Sequence, residues 1–266
     1  MTTHLFRPAA SLPAPPRVAL LDVDIDNLTT AETLDRIDAA LGARRSMPVA
    51  FVNADCLNKA VLDAAYLETL SAMALVLPDG IGVKLGARMN SLRIRDNVNG
   101  TDLFPLLCER LAHSGRRLFL YGAAPGVADG VAAWVKQHHP EAVVCGTLDG
   151  FTASADDVVR RVRDAQPDVL LVALGAPLQE RWMAAHGAHT GVPVVMGVGG
   201  LFDFYSGRMP RAPMWMRRLS VEWVYRLWQE PRRMWRRYLI GNVVFLVRVW
   251  RHRDRTRSSS NVEANA

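Results

Sequence analysis

The stretch "PDVLLVALGAPLQERWMAAHGAH" (167–189) holds the unit from which the fold is read. Its first part, "PDVLLVALG", is a short apolar run with no polar alternation, framed by Pro167 and Gly175. A run of that kind is a strand buried on both faces. Its second part, from Ala176 onward, carries the spacing of a helix. The same beat recurs along the chain. "RVALLDV" (17–23) reads as a strand before the helix "TTAETLDRIDAALGA", with Thr at its start as a cap. "PVAFVN" (48–53) precedes "DCLNKAVLDAAYLETLSAM", read as one helix, and "ALVLP" (74–78) precedes "DGIGVKLGARM". "TDLFPLLCERLAHSG" (101–115) reads as a helix closed by Gly115. "RRLFLYG" (116–122), "EAVVCG" and "VPVVMGVG" (192–199) are further strands, with helices after the first two, at "GVADGVAAWVKQHH" and around 154–165. Apolar strands each followed by a helix imply an α/β fold: a Rossmann-like, mostly parallel sheet with helices on both faces. In such folds ligands bind beyond the carboxyl ends of the strands.

Composition divides the chain. Its 266 residues carry a net charge of +6, yet fourteen arginines and no lysine lie between Arg208 and Arg257, against Glu222, Glu230 and Asp254. The remainder is slightly acidic, so the C-terminal fifth is built to meet an anionic partner. The expected organisation is a disordered lead-in (1–16), a catalytic domain (17–207), a basic helical Arg/Trp-rich appendage (208–252) broken or kinked at Pro231, and a disordered tail (253–266). The N-terminus lacks the apolar core of a signal peptide, and "YLIGNVVFLV" is about half of the ~20 residues a spanning helix needs. Cys56, Cys108 and Cys145 show no metal spacing and read as reduced core thiols of a cytoplasmic protein.

Four strand-end loops could carry chemistry. "LPDGIGV" places Asp79 after a strand and beside Gly80 and Gly82, as a general base or as a helix cap. "LYGAAPGVA" places Gly122 and Gly126 between strand and helix, as a phosphate cradle or an ordinary turn. "LGAPLQERW" puts Gln179 and Glu180 in a first helical turn facing the crevice, as sugar or base ligands or as helix-start chemistry. "GVGGLFDFYSG" sets Asp203 between Phe202 and Phe204, as an acceptor for a nucleobase N–H or as a turn residue. "DVDID" offers Asp22 and Asp24 on one side of a strand, a DxD spacing that could in principle hold a metal, but without a partner ligand. The expected site is therefore metal-free, with no cofactor.

The ordered set "FVNADCLN", "LPDGIGV", "VNGTDLF", "LYGAAPGVA", "GAPLQERW", "VGGLFDFYSGRMPRAP" and "EWVYRLWQEPRRMWRRYL" resembles the WecG/TagA/CpsF family of bacterial glycosyltransferases over roughly residues 18–242. Within it, "FVNADCLN" and "RDNVNGTDLF" look most like the xanthan-type exopolysaccharide glucosyltransferases. The resemblance implies an inverting, metal-independent enzyme that moves a sugar from a UDP-sugar to a sugar on polyprenyl diphosphate. It implies Asp79 as catalytic base and Gln179 as active-site amide. It implies Asp203 near the uracil, and it places Arg226, Arg233 and Arg236 at the diphosphate. Asn53, Gly122, Ala123, Gly126, Gly175, Glu180 and Gly199 are the further residues expected around the nucleotide sugar, and Asn97 is expected at the acceptor. Phe51 and Asn97 stand where members that transfer N-acetylmannosamine tend to carry Thr and Arg. On that ground the expected donor is a plain hexose such as glucose, with N-acetylmannosamine or its uronate as the alternative.

The Arg/Trp segment then suits the inner face of the cytoplasmic membrane: Trp prefers the interface and Arg draws anionic head groups. A subunit interface in a homo-oligomer is the other reading of the same residues. A nucleic-acid partner is not expected, since no helix-turn-helix or RRM signature accompanies the charge.

Overall fold

The computed structural model describes residues 12–151, 153–218 and 221–263; the side chains at 218, 233 and 253–263 lie outside that description. The lead-in expected over 1–16 falls mostly outside it; of the tail expected over 253–266, the backbone to Glu263 continues the last helix and only 264–266 fall outside.

The first expected strand is instead a hairpin. β1 (Arg17–Leu20) and β2 (Val23–Asp26) pair antiparallel, apart from the main sheet. Leu21 and Asp22 take φ of 52° and 64°, the left-handed pair that a tight hairpin turn requires. The "DVDID" carboxylates thereby separate. Asp22 meets His252 at 3.1 Å, Asp24 lies 3.9 Å from Arg17, and buried Asp26 accepts from Arg17 Nε and the Val76 N–H. Among the described residues no group of three or more His, Cys, Asp or Glu could hold a metal.

β3 (Met47–Val52), β4 (Leu75–Pro78), β5 (Arg117–Gly122), β6 (Val143–Leu148), β7 (Val169–Ala173) and β8 (Val194–Gly197) form one sheet in the order β4-β3-β8-β7-β5-β6, every pair parallel. In chain order, α1 (Thr30–Gly42) precedes β3. α2 (Ala54–Leu62) and α3 (Ala64–Ser71) precede β4, and α4 (Ile81–Met89) and α5 (Gly100–Ser114) precede β5. α6 (Val127–His138), α7 (Ala155–Ala165), α8 (Leu178–His186) and α9 (Leu201–Tyr205) follow β5, β6, β7 and β8. The helix expected over 55–73 is two, because the Asp63 side chain accepts the Tyr66 N–H and starts α3 afresh. Thr29 caps α1 in a full capping box with Glu32.

The period-2 alternation of the strands sorts side chains into two apolar layers. Val49, Phe51, Leu118, Leu120 and Leu171 pack with α1, α5, α6 and α9. Ala50, Val52, Phe119, Tyr121 and Leu170 pack with α2, α3, α7, α8 and the hairpin.

The C-terminal segment comprises α10 (Met214–Arg218), α11 (Glu222–Gln229), α12 (Pro231–Trp235), a π-helical turn over Arg236–Ile240 and α13 (Gly241–Glu263). Pro231 sits in the first turn of α12, where no N–H is needed, and separates it from α11 as expected. The π turn joins α12 and α13 with helical backbone angles at both ends, so the three run as one rod. The rod returns to the domain. Phe245 and Val249 are fully buried in the second layer, and the Phe245 ring fills the space that a Cβ at Gly86 would take. Asn58 Nδ2 donates to the Gly241 carbonyl (2.8 Å), and Arg248 donates to both Asn58 oxygens (2.9 Å). Phe245→Ala should therefore cost about 3–5 kcal/mol of unfolding free energy, read as a lower denaturant midpoint in equilibrium unfolding.

Candidate active site

The strand-end loops converge beyond the carboxyl edge of the sheet. Connections leave β3 toward β4 and β5 toward β6, in opposite senses, and the crevice lies between them. Two cavities occupy it, with Phe204 lining the first and its neighbour Asp203 the second.

The first cavity, about 190 Å³, is lined by Asn53, Asp79, Gly80, Asn97, Asn99, Asp102, Arg217, Glu222, Trp223, Arg226, Arg237 and Tyr238 among others. Asp79 does not cap α4: the cap is Gly80, at φ 90°, which has no side chain with which to bond the first turn. The carboxylate faces the cavity instead. Asn53 uses its Oδ1 to cap α2 through the Asp55 and Cys56 N–H groups, and it lines the same cavity as Asp79, whose charged form it favours. Asn97 Oδ1 accepts the Gly80 N–H at 2.6 Å and fixes the loop that carries the acid. Burial pushes the Asp79 carboxyl above the ordinary aspartate range, against the pull of Arg237, the Asn53 bond and Arg226.

The second cavity, about 1060 Å³, is lined by Ala123, Gly175, Gly199 and Asp203 of the expected residues, and by Tyr121, Phe151, Trp182 and Arg208. The Asp203 carboxylate makes no hydrogen bond among the described residues. Gly122 and Gly126 do not line it. Gly122 is required by packing, because a Cβ there would lie 2.5 Å from the Ala173 carbonyl oxygen. The Ala123 N–H, a candidate phosphate donor, already bonds to that carbonyl.

Gln179 and Glu180 were expected to face the crevice; both are buried behind it. Gln179 Oε1 accepts the Gly175 N–H (3.2 Å) and the Gly199 N–H (2.9 Å), and its Nε2 donates to Glu180 (2.8 Å). It ties together the loops after β7 and β8. Burial raises the Glu180 carboxyl, opposed by the Gln179 bond.

The appendage supplies the remaining wall. Arg226 lies against Gly200, which lines the second cavity, and over the Phe204 ring at 5.2 Å, so it stands where the two cavities meet. Arg236, expected at the diphosphate, is exposed and stacks on Trp235 (5.3 Å). Arg237 occupies the cavity in its place, 3.5 Å from Asp55. Both arginines lie in the π turn, and the motif match that suggests Arg236 does not tell which of two adjacent arginines points inward. The Arg233 side chain lies outside the described residues. The sequence reading also missed Asn99, Asp102, Arg217 and Tyr238. The first two stand inside "VNGTDLF", where the N-cap pattern masks the site: Asn99 caps α5 through the Asp102 N–H.

An outward stripe of Trp228, Trp235, Leu239, Ile240, Val243, Val247 and Trp250 is exposed along the appendage. Among the described residues no helix is long and apolar enough to cross a membrane.

A Rossmann-like sheet with a carboxylate and arginines gathered at its switch point defines the class as an α/β domain with a ligand crevice at the strand ends. The chain belongs to the glycosyl transferase WecG/TagA/CpsF family, which matches residues 18–259. It is 36% identical over 203 residues to the N-acetylglucosaminyldiphosphoundecaprenol N-acetyl-beta-D-mannosaminyltransferase of Bacillus subtilis (strain 168), covering 76% of this chain and 77% of that protein. It is 34% identical to the enzyme of the same name from Bacillus spizizenii over 68% of this chain and 70% of the relative. It is 28% identical to that of Staphylococcus aureus (strain MW2), over 83% and 87%. These relatives give no support to a xanthan-type kinship or to glucose as donor, and they favour the N-acetylmannosamine alternative. The structure weakens the argument for glucose as well: Phe51 is buried in the first apolar layer against Gly100 and does not line the cavity.

A carboxyl raised by folding binds its proton more tightly in the folded state, so its ionisation opposes folding as pH rises through the folded pKa. Asp79→Asn should therefore raise the thermal midpoint at neutral pH. The gain should vanish below the ordinary aspartate range, where both states are protonated; thermal scans across pH measure it.

Proposed function

We propose that this chain transfers N-acetylmannosamine from a UDP-linked donor to an N-acetylglucosamine carried on a polyprenyl diphosphate. The observation that carries the reading is Asp79: a carboxylate at the cavity that caps no helix and is raised by burial. A base with that elevation is better matched to abstracting a hydroxyl proton near neutral pH than an ordinary aspartate. The family and the names of the relatives support the sugar and lipid classes.

In this reading the nucleoside lies in the larger cavity, with Asp203 toward the base. The diphosphate crosses beneath Arg226, and the reacting sugars meet at Asp79. The acceptor hydroxyl gives its proton to Asp79 as its oxygen bonds to the anomeric carbon. The bond from that carbon to the diphosphate oxygen breaks, its electron pair leaves with UDP, and the configuration inverts. Arg226, with Arg217 and Arg237 from the same cavity wall, supplies positive charge to the departing diphosphate. Gln179 acts as a positioning residue, through the loops it joins. The exposed Trp and aliphatic stripe, with arginines beside it, rests on an anionic membrane surface where the lipid-linked acceptor resides.

The deciding experiment offers UDP-N-acetylmannosamine and UDP-glucose to polyprenyl-diphosphate N-acetylglucosamine and to polyprenyl-diphosphate glucose, in lipid and with EDTA present. Product from UDP-N-acetylmannosamine on the N-acetylglucosamine acceptor is expected; product from UDP-glucose alone would overturn the donor assignment. Asp79→Asn should lower turnover by about 100-fold or more, the scale of a lost general base, while UDP affinity holds. Because the base works deprotonated and its pKa is raised, the ascending limb of the pH–rate profile should lie above the ordinary aspartate range.

A further inference from the structure

α11 begins with two residues that the transfer step leaves unused, Glu222 and Trp223, and both line the cavity that holds Asp79. Glu222 is ionisable, and only 29% of its side chain is exposed. Among the described residues its Oε1 is buried without a hydrogen bond, 3.7 Å from Arg211 Nε, which is likewise buried and has no hydrogen-bond partner there. Arg211 is committed elsewhere, donating to Asp102 at 2.7 Å, so the Glu222 carboxylate is held in place by charge with its hydrogen-bonding capacity unused. Burial first, then the neighbouring carboxylates Asp102 and Asp79, push the Glu222 carboxyl up, against the pull of Arg211. Beside it, the rings of Trp223 and Tyr238 lie 5.9 Å apart and are inclined at 54°, and both line the same cavity. An unspent carboxylate next to aromatic faces suits a sugar: the acid accepts from ring hydroxyls or an amide N–H, and the aromatic faces take the electropositive C–H side of the ring.

We infer that Glu222, Trp223 and Tyr238 form the subsite for the acceptor sugar, with Glu222 accepting a hydrogen bond from a polar group of that sugar other than the attacking hydroxyl. The inference rests on the proposed transfer at Asp79 and adds to it the recognition of the second substrate. The acceptor is assigned, rather than the donor, because these side chains come from the appendage, whose outer face carries the exposed apolar stripe along which a lipid-borne sugar would arrive. The subsite is therefore complete only when the appendage is docked.

The test measures kcat/KM for lipid-linked acceptors that lack one hydroxyl or the N-acetyl group at a time, and for matching deoxy donors, in wild type, Glu222→Gln and Trp223→Ala. Wild type should lose about 10- to 100-fold on one acceptor analogue, the scale of a hydrogen bond to a charged group. Glu222→Gln should lower kcat/KM for the natural acceptor by a similar factor and reduce that one penalty to a few-fold. Trp223→Ala should raise the acceptor KM while the donor KM and the thermal midpoint hold. Unaltered discrimination in Glu222→Gln, or a penalty that moves only with the donor analogues, overturns the inference. A Glu222→Gln protein that loses activity equally on every analogue, together with an unchanged acceptor KM in Trp223→Ala, overturns it as well. Asp79→Asn serves as the control: if it keeps near-normal turnover, the transfer site is wrong, and that failure is distinct from this one.

Discussion

The buried Gln179 amide is the constraint on which the crevice depends. Loops after adjacent parallel strands have no ladder to hold them once the strands end, and their N–H groups must find partners away from water. Gln179 supplies one oxygen to two of them, from Gly175 and Gly199, and anchors its own nitrogen on Glu180. Its stem leaves no room for a side chain at Gly197, where a Cβ would meet the amide at 3.0 Å. A Glu in place of Gln179 would lose the donor and set two carboxylates against each other in a buried place. The amide therefore follows from the geometry, and it fixes where Gly199, Gly200 and Asp203 stand.

The same economy governs the other half of the site. Asn53 caps a helix with its oxygen and stands beside Asp79 in the cavity wall. Asn97 holds Gly80. The acid itself is left without a structural duty, and its burial is a cost that the fold carries. Sites that must react at a chosen pH commonly oppose stability in this way.

Much of this was legible in the sequence, because strands buried on both faces announce themselves by composition. Leu170 and Leu171 face opposite layers, yet both must be apolar. The hairpin was not legible, since "RVALLDV" has the same composition as a buried strand, and only the positive φ of Leu21 and Asp22 turns the chain back. Asp79, Asp203 and Arg226 lie at cavities as their loops suggested. Gln179 and Glu180 were placed correctly along the chain but not in depth: first-turn position says which end of a helix a residue occupies, not whether the next loop will close over it. The exchange of Arg236 for Arg237 has a different origin. Arg236 is placed by resemblance, and a motif match does not distinguish two adjacent arginines of which only one lines the cavity.

The appendage reconciles two demands that seem opposed. A cavity wall has to be exact, whereas a face of exposed apolar side chains leaves groups that a free protein would rather bury. One rod does both because its faces differ. Phe245 and Val249 seat it on α2 and α4, with Asn58 and Arg248 fixing its axial position. Trp235, Leu239, Val243 and Trp250 remain on the outer face. The inner face carries Arg237 and Tyr238, and α11 ahead of the rod carries Arg226 to the junction of the cavities. Because the seat lies beyond the cavity along the chain, the segment between Met214 and Ile240 is held at both ends: at Arg211 by Asp102, and at Gly241 by Asn58. The aromatic-rich sequence of α11 and α12 is thus constrained from two sides: inward by the charges of the cavity, and along the chain by the two anchors that fix where the segment begins and ends.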